Sequence, residues 1–508
     1  MTVRHIIWAA LLSTITAPVF ARDVSAPAVE GVGQVAPTID SLFQAFQVDA
    51  HVPGMVYGVV KDGQLAHVQA TGVQDLTDRR EVTPNSLFRV ASMTKAFTAL
   101  SILSLRDKRK LRLDDFAEQY VPEMKAWKYP TADSPKIRVR DLLNHVGGLV
   151  TDDPWGDRQQ ALPDSKFTEL IKGGVPFSRP PQMQHEYSNF GYALLGRIVS
   201  KASGMPYRRY VEKTFLGPLG MESSGFDFAD TPKERRAVGY RWENGSWVEE
   251  PTMKDGAFNS MGGLHVSAND YAKWVKFLLN AWPPRDEADD GPVKRATVRE
   301  MAQGLNFVAV ATRSGASGAT ACKQAAAYAM GWRVAQDCDL GLTLAHGGGY
   351  PGYGSHVMLM PEFGVGIFAL SNRTYAGPSA PAWDSAVAMY KAGLLGRRQA
   401  IVSPVLSEME AIARTAYNAG NLEPFAGRLA MNFLLDRSSQ NWGLMFAELK
   451  AQVGMCTNAG DLVPSGALSA TFSWKCDRGT MSGQILMAPT NPATIQALRF
   501  RPVVPAGS

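Results

Sequence analysis

The sequence predicts an α+β fold (α/β in the broad sense). One antiparallel sheet is flanked by helices and interrupted by a helical subdomain, and a small C-terminal α+β domain follows. Two observations carry this. Two-residue alternation of apolar and polar positions occurs near residue 55 and again beyond residue 331, with helical periodicity between them. The pattern then resets after residue 400. A chain of 508 residues with 45% hydrophobic and 19% charged content is a globular one, long enough for more than one domain. The expected organisation is a leader over residues 1–21, a main domain over 35–400 and an accessory domain over 401–508.

Each element has its own signal. MVYGVVKDGQLAHVQA (residues 55–70) reads as two strands around a Lys-Asp-Gly turn. FRVASMTKAFTAL (88–100), continued by SILSLRD, is apolar nearly all round, which marks a helix enclosed by protein on every side. Further helices are expected around RVRDLLNH (138–145), over FGYALLGRIVSKAS (190–203) up to Gly204, and over 270–282. The last has Tyr271, Trp274, Val275, Leu278, Leu279 and Trp282 on one face, entered through a Ser267–Asp270 capping box. Segments 331–337, 341–346, 354–360 and 364–371 read as short strands joined by Gly, Pro and Asn turns. The Ser/Gly/Ala-rich stretch 311–327 and the acidic stretch 285–291 read as surface loops. Beyond residue 400, helices near 404–418 and 435–453 precede alternating segments around GALSATFSWKC, TMSGQILMAPT and ATIQALRF.

A net charge of +5 is small for this length, and no basic run points to nucleic acid. MTVRHIIWAALLSTITAPVFA has the charged head, apolar centre and small-residue end of a secretory signal, with cleavage expected after Ala21. Its apolar run is too short and too broken to span a bilayer, so a periplasmic or secreted protein without stable membrane insertion is expected. Export permits disulfides. Sequence proximity favours Cys322 with Cys338 and Cys456 with Cys476, each loop contributing roughly 3 kcal/mol in the chain-entropy account. No C-x-x-C or supporting histidine spacing suggests zinc, and neither a metal nor an organic cofactor is expected.

The chemistry-bearing residues are Ser92 and Lys95. Three apart on a helix, they share one face, and the N–H groups at a helix start surround the Ser92 hydroxyl with positive potential. A buried amine beside it tends to lose its proton and can then take the one on Ser92. A capping serine and a surface lysine would account for Ser-x-x-Lys in isolation. Here it recurs with a single Tyr-x-Asn (Tyr187, Asn189) and a single His-Gly-Gly (His346, followed by Gly347, Gly348 and Gly349). His145-Val146-Gly147 fits a looser form but falls in the helical half.

With DLLNHVGGL, HEYSNFGYALLGRIV, SMGGLHVSANDYAKW, AHGGGYPGYGS and MPEFGVGIFALSN, these motifs make the chain resemble the serine β-lactamase and penicillin-binding-protein superfamily. The likeness is to its class C-like branch, with family VIII esterases and D-aminopeptidases. It covers roughly residues 40–395 and leaves the C-terminal domain outside. The resemblance implies a β-lactamase-like fold, an acyl-enzyme on Ser92, and Lys95 and Tyr187 sharing the proton, without deciding which is the base. It also implies that Asn189 orients the substrate carbonyl and Lys95, and that the Ser92 and Gly349 N–H groups form an oxyanion hole at a glycine-lined edge that includes Gly348.

His346 stands where β-lactamases carry Lys in Lys-Thr-Gly, which removes a permanent cation from a carboxylate-reading position. PPQMQHEY also lacks the Pro-Gly form common before the tyrosine. Three readings follow. An esterase or D-amino-acid peptidase acting on a small-molecule ester, amide or peptide is favoured. A cell-wall DD-peptidase or β-lactamase, and a non-catalytic sensor of β-lactams or muropeptides, are the alternatives.

Overall fold

The computed structural model describes residues 28–304, 306–313, 322–398 and 401–503, so the expected leader lies outside the described residues. After helix α1 (Ala28–Asp49) the alternating stretch closes into a hairpin, β1 (Gly54–Lys61) and β2 (Gln64–Gly72), turning through Asp62 and Gly63. Helices α2 (Thr94–Asp107), α3 (Asn189–Ser203) and α4 (Ala268–Leu279) follow. The chain then returns to the sheet with β3 (Asn306–Thr312), β4 (Lys323–Ala329), β5 (Trp332–Asp337), β6 (Gly341–Tyr350), β7 (Tyr353–Met360) and β8 (Val365–Ser371). Helix α5 (Ser379–Lys391) completes this part.

Eight strands form one sheet in the order β2-β1-β8-β7-β6-β5-β4-β3, every neighbouring pair antiparallel. The two chain ends of the region meet where β1 pairs with β8, as the two alternating segments predict. Strand alternation divides the core. Met55, Tyr57 and Val59 of β1 pack with Val32, Ile39, Phe43 and Trp383 of α1 and α5, whereas Val56 and Val60 face the helical half. Both faces are therefore covered.

Two strands correct the sequence reading. Segment 311–327 was expected as a loop, yet β3 ends and β4 begins within it. Only the last two residues of β3 (NFVAVAT) fall in that segment; β4 (KQAAAYA) is alanine-rich with a weak local signal, and it is held by partners from outside the strand. A buried Arg313–Asp337 pair (2.8 Å), joined by Gln324 (2.6 Å), lies beside the Cys322–Cys338 disulfide and ties β4 and β5 to the residue after β3. The expected helix at 138–145 shortens to Val139–Leu143, and α4 stops at Leu279, before Trp282. Ser267 caps α4 by accepting from Asp270 N (3.2 Å).

Thr94 to Leu105 of α2 are all buried, as an apolar surface on every side of the helix predicts. Beyond residue 400, α6 (Pro404–Ala419), α7 (Ser439–Val453) and an antiparallel meander of β9 (Cys456–Gly466), β10 (Ser469–Cys476), β11 (Gly479–Ala488) and β12 (Thr494–Val503) surround a separate core. Leu406, Phe446, Phe472, Trp474 and Ile485 fill it, and the Cys456–Cys476 disulfide joins β9 to β10. Strand β9 carries no sequence expectation. No helix among the described residues is long and apolar enough to cross a membrane.

Candidate active site

Ser92 lies in a single 3₁₀ turn, Ala91–Met93, immediately before α2 rather than inside it. Ala91 takes φ +49°, a left-handed conformation that costs a non-glycine residue on the order of 1 kcal/mol. The turn thus presents a 7% exposed Ser92 at the start of a helix buried from Thr94 to Leu105.

One turn on, Lys95 is fully buried, with Nζ 3.0 Å from Ser92 Oγ, 2.7 Å from Asn189 Oδ1 and 2.8 Å from Met261 O. Tyr187 and Tyr192 rings flank the same nitrogen, 4.9 and 5.4 Å from their centroids. Asn189 opens α3, where Ser188 Oγ accepts from Gly191 N (3.1 Å). Asp152 accepts from Asn189 N (2.6 Å) and Phe190 N (2.9 Å), and Asn189 Nδ2 donates to Asp153 Oδ1 (2.9 Å). The Asn189 amide is thereby fixed with its oxygen toward Lys95.

The third motif arrives on β6. Strand β6 pairs with β5 only from Gly341 to Ala345, while β7 accompanies it to Tyr350, so one edge is open from His346 to Gly349. Gly348 brings this edge against the turn that carries Ser92: a Cβ there would lie 2.3 Å from Val90 O and 2.1 Å from Ser355 Oγ. Both ring nitrogens of His346 are engaged. Nδ1–H donates to Gly347 O (2.6 Å), which leaves Nε2 to accept from Tyr328 Oη (3.1 Å). All the motif residues expected to form the site are thus close together, but His346 serves its neighbours rather than facing open space.

Burial sets the protonation states. It pulls Lys95 down from the usual lysine range to about 8, against the opposing pull of Asp153, Asp157 and Asp152. Burial, then the Asp153 charge, push the Tyr187 phenol well above 10. His346 is lowered to about 3 by burial and by the nearby Lys95 charge, so its imidazole is neutral. Burial also pushes Asp157 up to about 7, Lys95 pulling the other way.

Several residues here have no part in the sequence expectation. His145, set aside as lying in the helical half, accepts from Ser188 N (3.0 Å) through Nδ1 and packs its ring on Tyr187, Tyr192 and Tyr328. The acidic run DDPWGD (residues 152–157) supplies Asp152, Asp153 and Asp157. That run and the second His-x-Gly were the available signals. The Met261 carbonyl and Tyr328 had none.

The geometry has counterparts. A family model described as Beta-lactamase matches residues 39–390, well over half of the chain. Protein flp of Staphylococcus aureus (strain N315) is 27% identical over 342 residues, 66% of this chain and 62% of the relative, so the match spans under two thirds of that protein. Beta-lactamase-like protein 2 of Dictyostelium discoideum is 32% identical over 253 residues, 48% of this chain and 46% of the relative. Among solved structures, the octameric penicillin-binding protein homologue from Pyrococcus abyssi superposes with a TM-score of 0.59 at 20% identity, covering 91% of this chain and 99% of its own. A class C beta-lactamase gives a TM-score of 0.55 at 21% identity, covering 70% and 96%. The first likeness reaches beyond residue 400, where the sequence resemblance stopped. With the sheet, the buried Ser92–Lys95 pair and the family match in agreement, this chain belongs to the beta-lactamase family.

Proposed function

We propose that this is an exported serine hydrolase that cleaves a carboxylic ester or a D-amino-acid amide through an acyl-enzyme on Ser92. The observation that carries the reading is the environment of Lys95. It is fully buried, has no carboxylate in an ion pair among the described residues, and lies 3.0 Å from Ser92 Oγ. Nζ donates to Asn189 Oδ1 and Met261 O and lies 3.0 Å from Ser92 Oγ; once neutral, with those two N–H bonds kept, it has a lone pair to accept the Ser92 proton.

Ser92 Oγ then bonds to the scissile carbonyl carbon as its proton passes to Lys95. The Ser92 and Gly349 N–H groups hold the oxyanion. When the bond to the leaving group breaks, the proton returns to that group through Tyr187, a neutral phenol beside Lys95. Water repeats the sequence to release the acid. No metal or organic cofactor enters this scheme.

The neutral His346 disfavours substrates held by a carboxylate, which places the DD-peptidase or β-lactamase reading second. A non-catalytic sensor would have no use for the amine placed on Ser92.

Intact-mass spectrometry with a fluorophosphonate probe tests the nucleophile: one adduct is expected on the wild-type protein and none on Ser92→Ala. An adduct on another serine removes the assignment. A parallel panel of p-nitrophenyl esters, D-aminoacyl anilides and nitrocefin ranks the readings, and dominant nitrocefin turnover would put the second one first.

A further inference from the structure

One side chain outside every motif lies along the open edge of β6. Tyr375, in the loop between β8 and α5, is 46% exposed and takes φ +56°. Its ring occupies the space that a side chain at Gly349 would fill: a Cβ there would lie 2.6 Å from Tyr375 Cδ1 and 3.3 Å from Cε1. Its hydroxyl donates to Asp157 Oδ2 (3.1 Å), on the opposite wall beside Asn189 and Lys95. The ring therefore spans the cleft from the strand edge to the acidic loop. It is tied at its far end to a carboxyl that is 3% exposed.

The direction of the substrate follows from the proton path. Tyr187, which returns the proton to the leaving group, lies near His346, with ring centroids 6.2 Å apart, at the upstream end of the open edge. The carbonyl oxygen at the Gly349 N–H then sends the leaving group toward Tyr187 and the acyl substituent the other way, toward Tyr375. Gly349 has no side chain to limit that substituent, and the Tyr375 ring supplies the limit instead.

We propose that Tyr375, held across the cleft by Asp157, is the specificity-determining residue that sizes the acyl group, excluding groups fully substituted at the carbon beside the scissile carbonyl. This rests on Ser92 being the acylated residue. A wall of this kind discriminates by the volume it excludes, and one methylene of misfit changes rates by roughly 10- to 200-fold.

The test is the kcat/KM ratio of p-nitrophenyl pivalate to p-nitrophenyl acetate in the full chain. Tyr375→Ala raises this ratio by about tenfold or more. Tyr375→Phe keeps the ring but frees it from Asp157, and raises the ratio only a few-fold. A second ratio, α-naphthyl acetate to p-nitrophenyl acetate, varies only the alcohol and stays constant. An unchanged acyl ratio in Tyr375→Ala, or a change confined to the alcohol ratio, overturns the proposal. Fluorophosphonate labelling of the same proteins separates the two levels. Labelled Ser92 with a flat acyl ratio removes Tyr375 alone, and wild-type protein unlabelled at Ser92 removes the reading beneath it.

Discussion

In the proposed mechanism Lys95 is a cation turned into a base by where it sits. In water its amine would be protonated at neutral pH, and burial among Tyr187, Tyr192 and Asn189 brings it to about 8. The base is the neutral form, and its fraction rises as pH climbs through that value. We therefore expect kcat/KM to rise about tenfold per pH unit below 8 and to level off above it. Tyr187, raised well above 10, adds no ionisation below that plateau. Lys95→Ala and Tyr187→Phe should each lower kcat by about 10²- to 10⁴-fold, with the double variant little worse than the worse single, because the two pass one proton. Multiplying losses, or a limb that falls through pH 8, would refute the pairing. The motif residues were legible because each motif places a functional group at a fixed spacing. His145 and Asp157 were not, because their roles depend on neighbours distant in sequence.

At the scale of the element, β6 shows how a missing side chain positions a strand. Gly348 and Gly347 are adjacent but not equivalent: a Cβ at 348 would strike Val90 O and Ser355 Oγ, whereas one at 347 meets nothing closer than 3.8 Å. Gly348→Ala must push the open edge away from the nucleophile turn. Overpacking of this kind costs about 1–3 kcal/mol in stability. A displacement near 1 Å of the Gly349 N–H, the proposed oxyanion donor, should lower kcat/KM by about 100-fold. Gly347→Ala should stay close to wild type in both. Equal effects of the two substitutions on activity and thermal stability would remove this account of the strand. Strands β3 and β4 carry the converse lesson. KQAAAYA has little strand propensity of its own, and ladder pairing with β5, the Arg313–Asp337 pair and a disulfide hold it in the sheet.

Over the whole molecule, the fold keeps many imidazoles dry. Burial lowers His145 well below 6.5, His185 and His356 to about 4, and His265 and His346 to about 3. The unfolded chain binds these protons from about pH 6.5 downward; in the native chain His185 and His356 do not until about 4 and His265 and His346 until about 3, and His145 is held lower than 6.5 in the same direction. Stability therefore rises with pH across that window and is lost as pH falls through it, because the unfolded chain holds more protons there than the native one. Asp157, raised to about 7, takes up its proton first in the native state and acts in the opposite direction, partly offsetting the histidines. The melting temperature, followed by near-ultraviolet circular dichroism, should drop steeply between pH 6.5 and 4. A flat profile there would mean that these histidines titrate alike in both states.

Periodicity, motif spacing and sequence proximity carried the sheet made from both ends of the region, the buried helix after Ser92, the separate C-terminal core and the pairing of all four cysteines. These depend on residues near one another in the chain, or on alternation that any single strand displays. Tertiary structure alone decided that His346 turns both nitrogens to Tyr328 and Gly347, that Asp152 and Asp153 hold Asn189, and that Tyr375 lies across Gly349 with its hydroxyl on Asp157. Each of these is a contact between segments with no shared periodicity. Its geometry is set by how closely packed backbones approach, and a linear pattern of residue types does not encode that distance.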